Sequence, residues 1–245
     1  MGNQYEDYTE GKLYQISYYL YGFILISLYF LLTNVLFFVT SFFALVFFQA
    51  KLLTVPLLFL AVMIAMIPMG PSWAAAVYTA KTIQNKEFHS ITKNFFKAYK
   101  QLFKKSLYAW LTLITAFVLL FFNYWAILSS ESLGFLVYTL FALVLIIIAI
   151  GIYIFPLLVE YSFPVLQLLK LALYFSIKNM VYTILLIGIL FVFIYILISL
   201  PLAFFLILPG TYVFLQYLFC KSVFKKILVE NNLKWKLKGE LNNDS

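Results

Sequence analysis

LYQISYYLYGFILISLYFLLTNVLFFVTSFFALVFFQA, residues 13–50, separates Lys12 from Lys51 and runs for 38 residues without a charge. A second run, residues 179–220 between Lys178 and Lys221, extends the same condition to 42 residues. A helical bilayer crossing needs about 20 apolar residues, so each run exceeds one crossing. The composition agrees: 65% of the 245 residues are apolar and 11% are charged, against about 45–50% and about 25% in soluble domains. A soluble chain of this size lacks the polar surface to cover so much apolar side chain. The expected fold is therefore all-α and polytopic, in a membrane.

Six spans are expected. The first, residues 18–48, is 31 residues or about 46 Å of helix. That exceeds a hydrocarbon core of about 30 Å, so it should tilt or protrude through an interface lined by Tyr14, Tyr18, Tyr19 and Tyr21. The second covers 52–69, with Pro56 in its first turn, before Pro68, Gly70 and Pro71 break the chain. The third and fourth cover 107–128 and 133–159, joined by Ser129-Ser130-Glu131-Ser132. The last uncharged run holds two more, 180–200 and 202–219, with Pro201 and Pro209-Gly210 marking a turn or kink. The chain then divides into a short N-terminal segment (1–17), a six-span membrane domain (18–220) with cytoplasmic helices at about 72–106 and 160–179, and a basic tail (221–245).

Lysine placement sets the expected orientation, because basic residues accumulate on the cytoplasmic side. With the N-terminus inside, 16 of the 17 lysines are cytoplasmic and only Lys51 is outside, so both termini are expected inside, in a cytoplasmic membrane. There is no Arg, hence no planar bidentate recognition of phosphate or carboxylate. The net charge of +8 is accounted for by lysines flanking apolar runs, and no nucleic-acid partner is expected. One cysteine, Cys220, and one histidine, His89, exclude a disulfide framework or a His/Cys metal cluster within one chain. Glu6, Asp7 and Glu10 precede Lys12, unlike the basic start of a signal peptide, and Glu6 stands where myristoylation needs Ser or Thr.

The informative cytoplasmic section is 70–106. Pro71 is expected to open a helix, with Trp73, Val77, Ala80 and Ile83 along one stripe. Ala74, Ala75 and Ala76 make a thin surface that permits close helix approach. Ser90 is a candidate N-cap for a second helix, residues 91–106. On that helix Lys93, Lys97, Lys100 and Lys104 fall within an arc of about 60°, opposite Ile91, Phe95, Tyr99, Leu102 and Ser106. Two readings follow: an interfacial helix whose lysines meet anionic lipid, and a docking surface for another subunit. Residues 160–179 echo this section at an offset of 73, aligning Lys97 with Lys170, Lys105 with Lys178 and Ser106 with Asn179. Being greasier, they are expected to lie buried among helix ends. The tail, with Trp235 between Lys234 and Lys236, reads as a juxtamembrane anchor.

Motifs for chemistry are lacking. No phosphate loop, nucleophile elbow or paired metal motif occurs, and within the expected spans no Asp, Glu, Lys or His lies at membrane depth, where coupled carriers place ionisable groups. The intramembrane polar residues singled out are Asn34, beside Thr33, and Asn123, both read as hydrogen bonding between helices rather than ligand binding. Glu160, at the inner end of the fourth span, is a helix-end charge able to pair with a lysine. His89 reads as a loop residue, and Cys220 as a small apolar residue facing the cytoplasm.

The run Gly70-Pro71-Ser72-Trp73-Ala74-Ala75 resembles the G-P-x-x-A-A signature of YesL-like proteins, uncharacterised integral membrane proteins mainly of Gram-positive bacteria. Asn94-Phe95-Phe96-Lys97-Ala98-Tyr99-Lys100 is similar to that family's aromatic-basic helix, and Asn34 stands where such proteins often carry Asn. The chain departs from the pattern in using Lys where relatives often have Arg and in its extended basic tail. The resemblance implies a gene neighbourhood of oligosaccharide uptake ABC transporters, hence a non-catalytic accessory role beside permease subunits, with no cofactor and no enzymatic activity. The expected contact residues are Gly70, Pro71, Trp73, Ala74, Ala75, Lys93, Phe95, Phe96, Lys97, Tyr99, Lys100 and Lys104. The alternative is a self-contained channel or carrier for a small polar solute, with Asn34 and Asn123 lining its path.

Overall fold

The computed structural model describes residues 12–49, 55–85, 90–128, 136–199 and 206–231. The expectations for Glu6, Asp7, Glu10, Lys51, His89, the link Ser129-Ser130-Glu131-Ser132, Pro201 and Trp235 lie outside those residues. Apart from short links such as residues 161–164, the described residues form helices: α1 (Lys12–Thr33), α2 (Val35–Gln49), α3 (Val55–Ala65), α4 (Met69–Gln84), α5 (Ile91–Leu128), α6 (Leu136–Glu160), α7 (Val165–Lys178), α8 (Met180–Ser199) and α9 (Leu208–Asn231).

By length and composition α1, α5 and α6 each suffice to cross a bilayer, and the pairs α3–α4 and α7–α8 would make five if each bent pair is one crossing. The protein is thus a multi-pass membrane protein. Several expected boundaries are corrected. The first run is not one 31-residue helix: it breaks at Asn34, whose N–H reaches only three residues back to the Leu31 carbonyl at 3.2 Å. Among the described residues of the second run, α3 ends after 11 residues, because Met66–Pro68 form a turn and the chain bends by 40° into α4. Pro68, Gly70 and Pro71 therefore start α4 rather than end a span. This costs little, since the first turn of a helix has no internal use for its N–H groups.

Residues 91–106 are not a separate interfacial helix. They are the first turns of α5, one uninterrupted 38-residue helix about 57 Å long. No glycine or proline occurs between Ile91 and Leu128 to break it. Its start differs from the expected cap: Ser90 sits at φ 74°, outside the extended conformation of an N-cap serine. Residues 160–179 are not buried among helix ends either. Leu168, Ala172 and Phe175 on α7 are buried, but Leu166, Lys170, Tyr174 and Ile177 are exposed, and α7 meets α8 at 98°. The expected tail boundary at 221 falls inside α9, which continues to Asn231.

α4 is the hub, packed by α1, α5, α6 and α9. Small residues make this possible: Ala74, Ala75, Ala76 and Ala80 are all fully enclosed. On α4 the tightest glycine is Gly70; a Cβ there would meet the Trp110 side chain, Cγ at 2.7 Å, and the Ser106 carbonyl at 3.0 Å. The core lies toward the lysine-bearing ends of the helices, where residues 152–159 of α6 are buried on every side. At the other end α2, α8 and the distal halves of α5 and α6 expose Leu36, Phe42, Trp125, Tyr138, Phe141 and Val192. Apolar side chains left open in this way are what a lipid-facing surface requires.

Candidate functional site

The lysine face is built by α5 and held by α4. Ile91, Phe95, Ala98, Leu102, Ser106 and Ala109 recur every three or four residues and are buried. Lys93, Lys97, Lys100 and Lys104 point outward and are exposed. The apolar side of residues 91–106 therefore packs on protein, not on lipid: Phe95 lies 5.4 Å, centroid to centroid, from Tyr29 of α1, and the Tyr29 hydroxyl shares a 2.7 Å hydrogen bond with Thr92. Phe96 and Phe103, 48% and 38% exposed, border the lysines on one edge. Tyr99 is half-buried between them, stacked on Phe95.

Gly70, Pro71, Ala74 and Ala75, expected as partner contacts, are enclosed by the chain's own helices. The thin surface is used internally because α4 is surrounded. Trp73 is partly buried, edge-on to Phe30 and Tyr212, and donates from Nε1 to Gln216 Oε1 at 2.9 Å.

Gln216 answers a defect in α6. Pro156 has no N–H, so the Ile152 carbonyl loses its helical donor. Gln216 Nε2 donates to that oxygen at 2.6 Å, and the Cys220 thiol approaches it at 3.9 Å. Cys220 is thus an enclosed residue of the α6–α9 contact, not one open to the cytoplasm.

Glu160 ends α6 in a small polar cluster. Lys81 Nζ lies 3.0 Å from Glu160 Oε2, and the buried Tyr217 hydroxyl donates to Oε1 at 2.7 Å. The pairing expected for Glu160 is thus made within the chain, joining α4, α6 and α9. Burial, and then the charge of Glu160, push the neighbouring Tyr161 hydroxyl up to about 12. Close by, Lys221 Nζ donates to Gln84 Oε1 at 3.0 Å, and Lys105 Nζ to the Ser162 carbonyl at 3.3 Å.

The two asparagines are not brought together. Asn34 is fully buried, with Nδ2 donating to the Phe30 carbonyl at 2.7 Å. Its Oδ1 has no hydrogen-bond partner among the described residues. The bond between helices is made beside it, from Ser72 Oγ to Thr33 Oγ1 at 2.8 Å. Asn123 is exposed and bonds back to Leu119 of its own helix. At the end away from the lysines, a cleft of about 300 Å³ opens between α3, α5 and α6, lined by apolar side chains and Tyr124. Such walls offer a polar solute little to bond.

Sequence reasoning missed Gln216, Lys81 and Tyr217 as site members. Pro156 inside an apolar helix was the available signal for the first, since the carbonyl four residues earlier needs a donor. Nothing local marks the other two.

Residues 30–124 match the family model described as "Protein of unknown function, DUF624". The match takes in both the 70–75 run and the lysine face. No curated protein and no solved structure matches the chain.

Proposed function

We propose that this chain is a non-catalytic accessory membrane protein associated with a carbohydrate (oligosaccharide) ABC uptake transporter, in the cytoplasmic membrane of a bacterium, with permease subunits as partners. One observation carries the accessory reading: the apolar side of residues 91–106 is used up within the protein, so the Lys93/Lys97/Lys100/Lys104 face is held outward on a stiff support. A surface so fixed suits recognition better than catalysis. The carbohydrate part rests on the resemblance of residues 70–75 and 94–100 to YesL-like proteins. Orientation with both termini inside follows from the lysine ratio. Taking α1 with α2, α3 with α4, α5, α6, α8 alone after the transverse α7, and α9 as a short last crossing gives the six spans this orientation needs.

The test is purification of the tagged protein in detergent, with mass spectrometry of co-eluting proteins, alongside oligosaccharide uptake in a deletion strain. Permease subunits in the eluate and slowed uptake support the reading. A solitary protein that transports a solute in liposomes would replace it with the carrier.

A further inference from the structure

Two amphipathic segments of this chain each lead into an apolar helix, and they meet it differently. α7 turns by 98° into α8, so it lies across the direction of that helix. Its exposed side mixes Leu166, Tyr174 and Ile177 with Lys170 and Lys178. That pattern fits an interfacial helix, with apolar groups in acyl chains and lysines at headgroups. Residues 91–106 instead continue without a break into the rest of α5, and must keep its direction. Spans tilt by about 20° on average, so this segment rises out of the membrane.

Lys105 fixes the level at which it leaves, since its ammonium bonds the Ser162 carbonyl just before α7 begins. From Lys104 to Lys93 the helix climbs a further 11 residues, about 16 Å. Surface electrostatics decay over a Debye length of about 8–10 Å at physiological salt. Lys104 and Lys100, about 6 Å above it, therefore stay within reach of headgroups, while Lys97 and Lys93, about 10 and 16 Å above Lys104, stand at or beyond that limit. Phe96, 48% exposed, lies about 12 Å above Lys104, where lipid does not reach, and Phe103 is exposed at the foot of the same face.

We propose that the raised face formed by Lys93, Lys97 and Phe96, with Lys100 and Phe103 at its lower edge, docks an acidic, partly apolar helix or surface of another protein, and not anionic lipid. Charge complementarity names the partner's chemistry: carboxylates at helical spacing, with an apolar edge for the two phenylalanines. This deepens the accessory reading by describing the partner's surface, and rests on it only for who the partner is.

The experiment uses the full-length protein with Cys220→Ser, in nanodiscs of phosphatidylcholine with or without one part in four of phosphatidylglycerol. Spin labels on single cysteines at 93, 97 and 170 report distance from a relaxing agent carried on lipid headgroups. Position 170 should relax strongly, 93 and 97 weakly; equal relaxation at 93 and 170 would place the face on lipid and overturn the proposal. The binding probe is a fluorescent amphipathic peptide with Glu on one helical face and Leu on its edge. Binding should weaken about tenfold or more when Lys93, Lys97 and Lys100 become Gln, and severalfold in the Phe96→Ala/Phe103→Ala variant, with both variants unfolding at the wild-type temperature. Binding that ignores the phenylalanine pair, or that added phosphatidylglycerol abolishes, reduces the face to a charge patch and overturns docking. A chain lacking residues 2–10 should bind no tighter; tighter binding would make its own Glu6, Asp7 and Glu10 the occupant. Each of these failures leaves the co-purification test of the accessory role standing.

Discussion

Gln216 of α9 donates a hydrogen bond to the Ile152 carbonyl, the oxygen that Pro156 leaves without a donor in α6. A helix-breaking residue and a buried amide 60 positions apart thus form one device, since hydrocarbon has no water to satisfy the freed carbonyl. Gln216→Leu should destabilise the protein by about 1–3 kcal/mol, because it strands both Ile152 O and Trp73 Nε1. In a Pro156→Ala background the helix can bond Ile152 itself, so the same change should cost about 1 kcal/mol less. Unfolding of the four proteins in mixed detergent measures the cycle. Equal losses in both backgrounds would disconnect the two residues.

The Lys81–Glu160 pair is partly enclosed, with the side chains 28% and 12% exposed. Removing one charge leaves the other desolvated and unpaired, which is worse than removing both. Lys81→Met and Glu160→Gln should each cost about 1–3 kcal/mol, discounted from a fully buried pair for the remaining exposure. The double variant should lose less than the sum, because neither charge is then left desolvated without its partner. Strict additivity in detergent unfolding would show that the pair is not coupled.

The fold class was legible because charge-free runs at residues 13–50 and 179–220 leave no soluble alternative. Which segments stay straight was less so. Ser106 and Asn179 occupy equivalent places in the two echoing sections, yet α5 runs through Ser106 while the chain turns at Asn179. Ser106 bonds the Leu102 and Phe103 carbonyls of its own helix, whereas Asn179 lies outside helical φ/ψ at −116° and 49°. A local pattern cannot distinguish these outcomes, because packing around the corner, such as Thr183 on the Ser176 carbonyl, decides them. The same limit applies to the alanine surface: composition shows that α4 permits close approach, and only the assembled fold shows that its own neighbours take it up.

Cys220 gives a test of the packed end. Its side chain is fully enclosed between α6 and α9, so a maleimide reagent should leave the folded protein unlabelled in detergent and label it once unfolded. In a Cys220→Ser background, single cysteines at Lys97 and at Ser130 report orientation. Ser130→Cys should react with an impermeant reagent in intact cells, and Lys97→Cys only after lysis. Labelling of position 97 from outside would reverse the orientation proposed from the lysine count.

Three glycines separate close packing from mere small size. A Cβ at Gly210 would run into the backbone of Phe23, including its carbonyl oxygen and, at 2.8 Å, its Cα. The Gly210 N–H also donates to Ser27 Oγ at 2.8 Å, which fixes the approach of α9 to α1. Backbone cannot rotate away, so Gly210→Ala must push the two helices apart, at about 2 kcal/mol or more. At Gly70 the obstacle is mainly the Trp110 side chain, tied by Nε1 to the Met66 carbonyl at 2.7 Å. Gly70→Ala should therefore cost about 1–3 kcal/mol, partly through that hydrogen bond. Gly188 has nothing within 4 Å of its added carbon, and alanine there should be neutral or stabilising by up to about 1 kcal/mol, as in any open helical position. Thermal unfolding of the three variants in one detergent should give that order, with Gly210→Ala least stable. If Gly210→Ala unfolds at the wild-type temperature, α1 and α9 do not cross at this distance, and the close contact described between them is wrong.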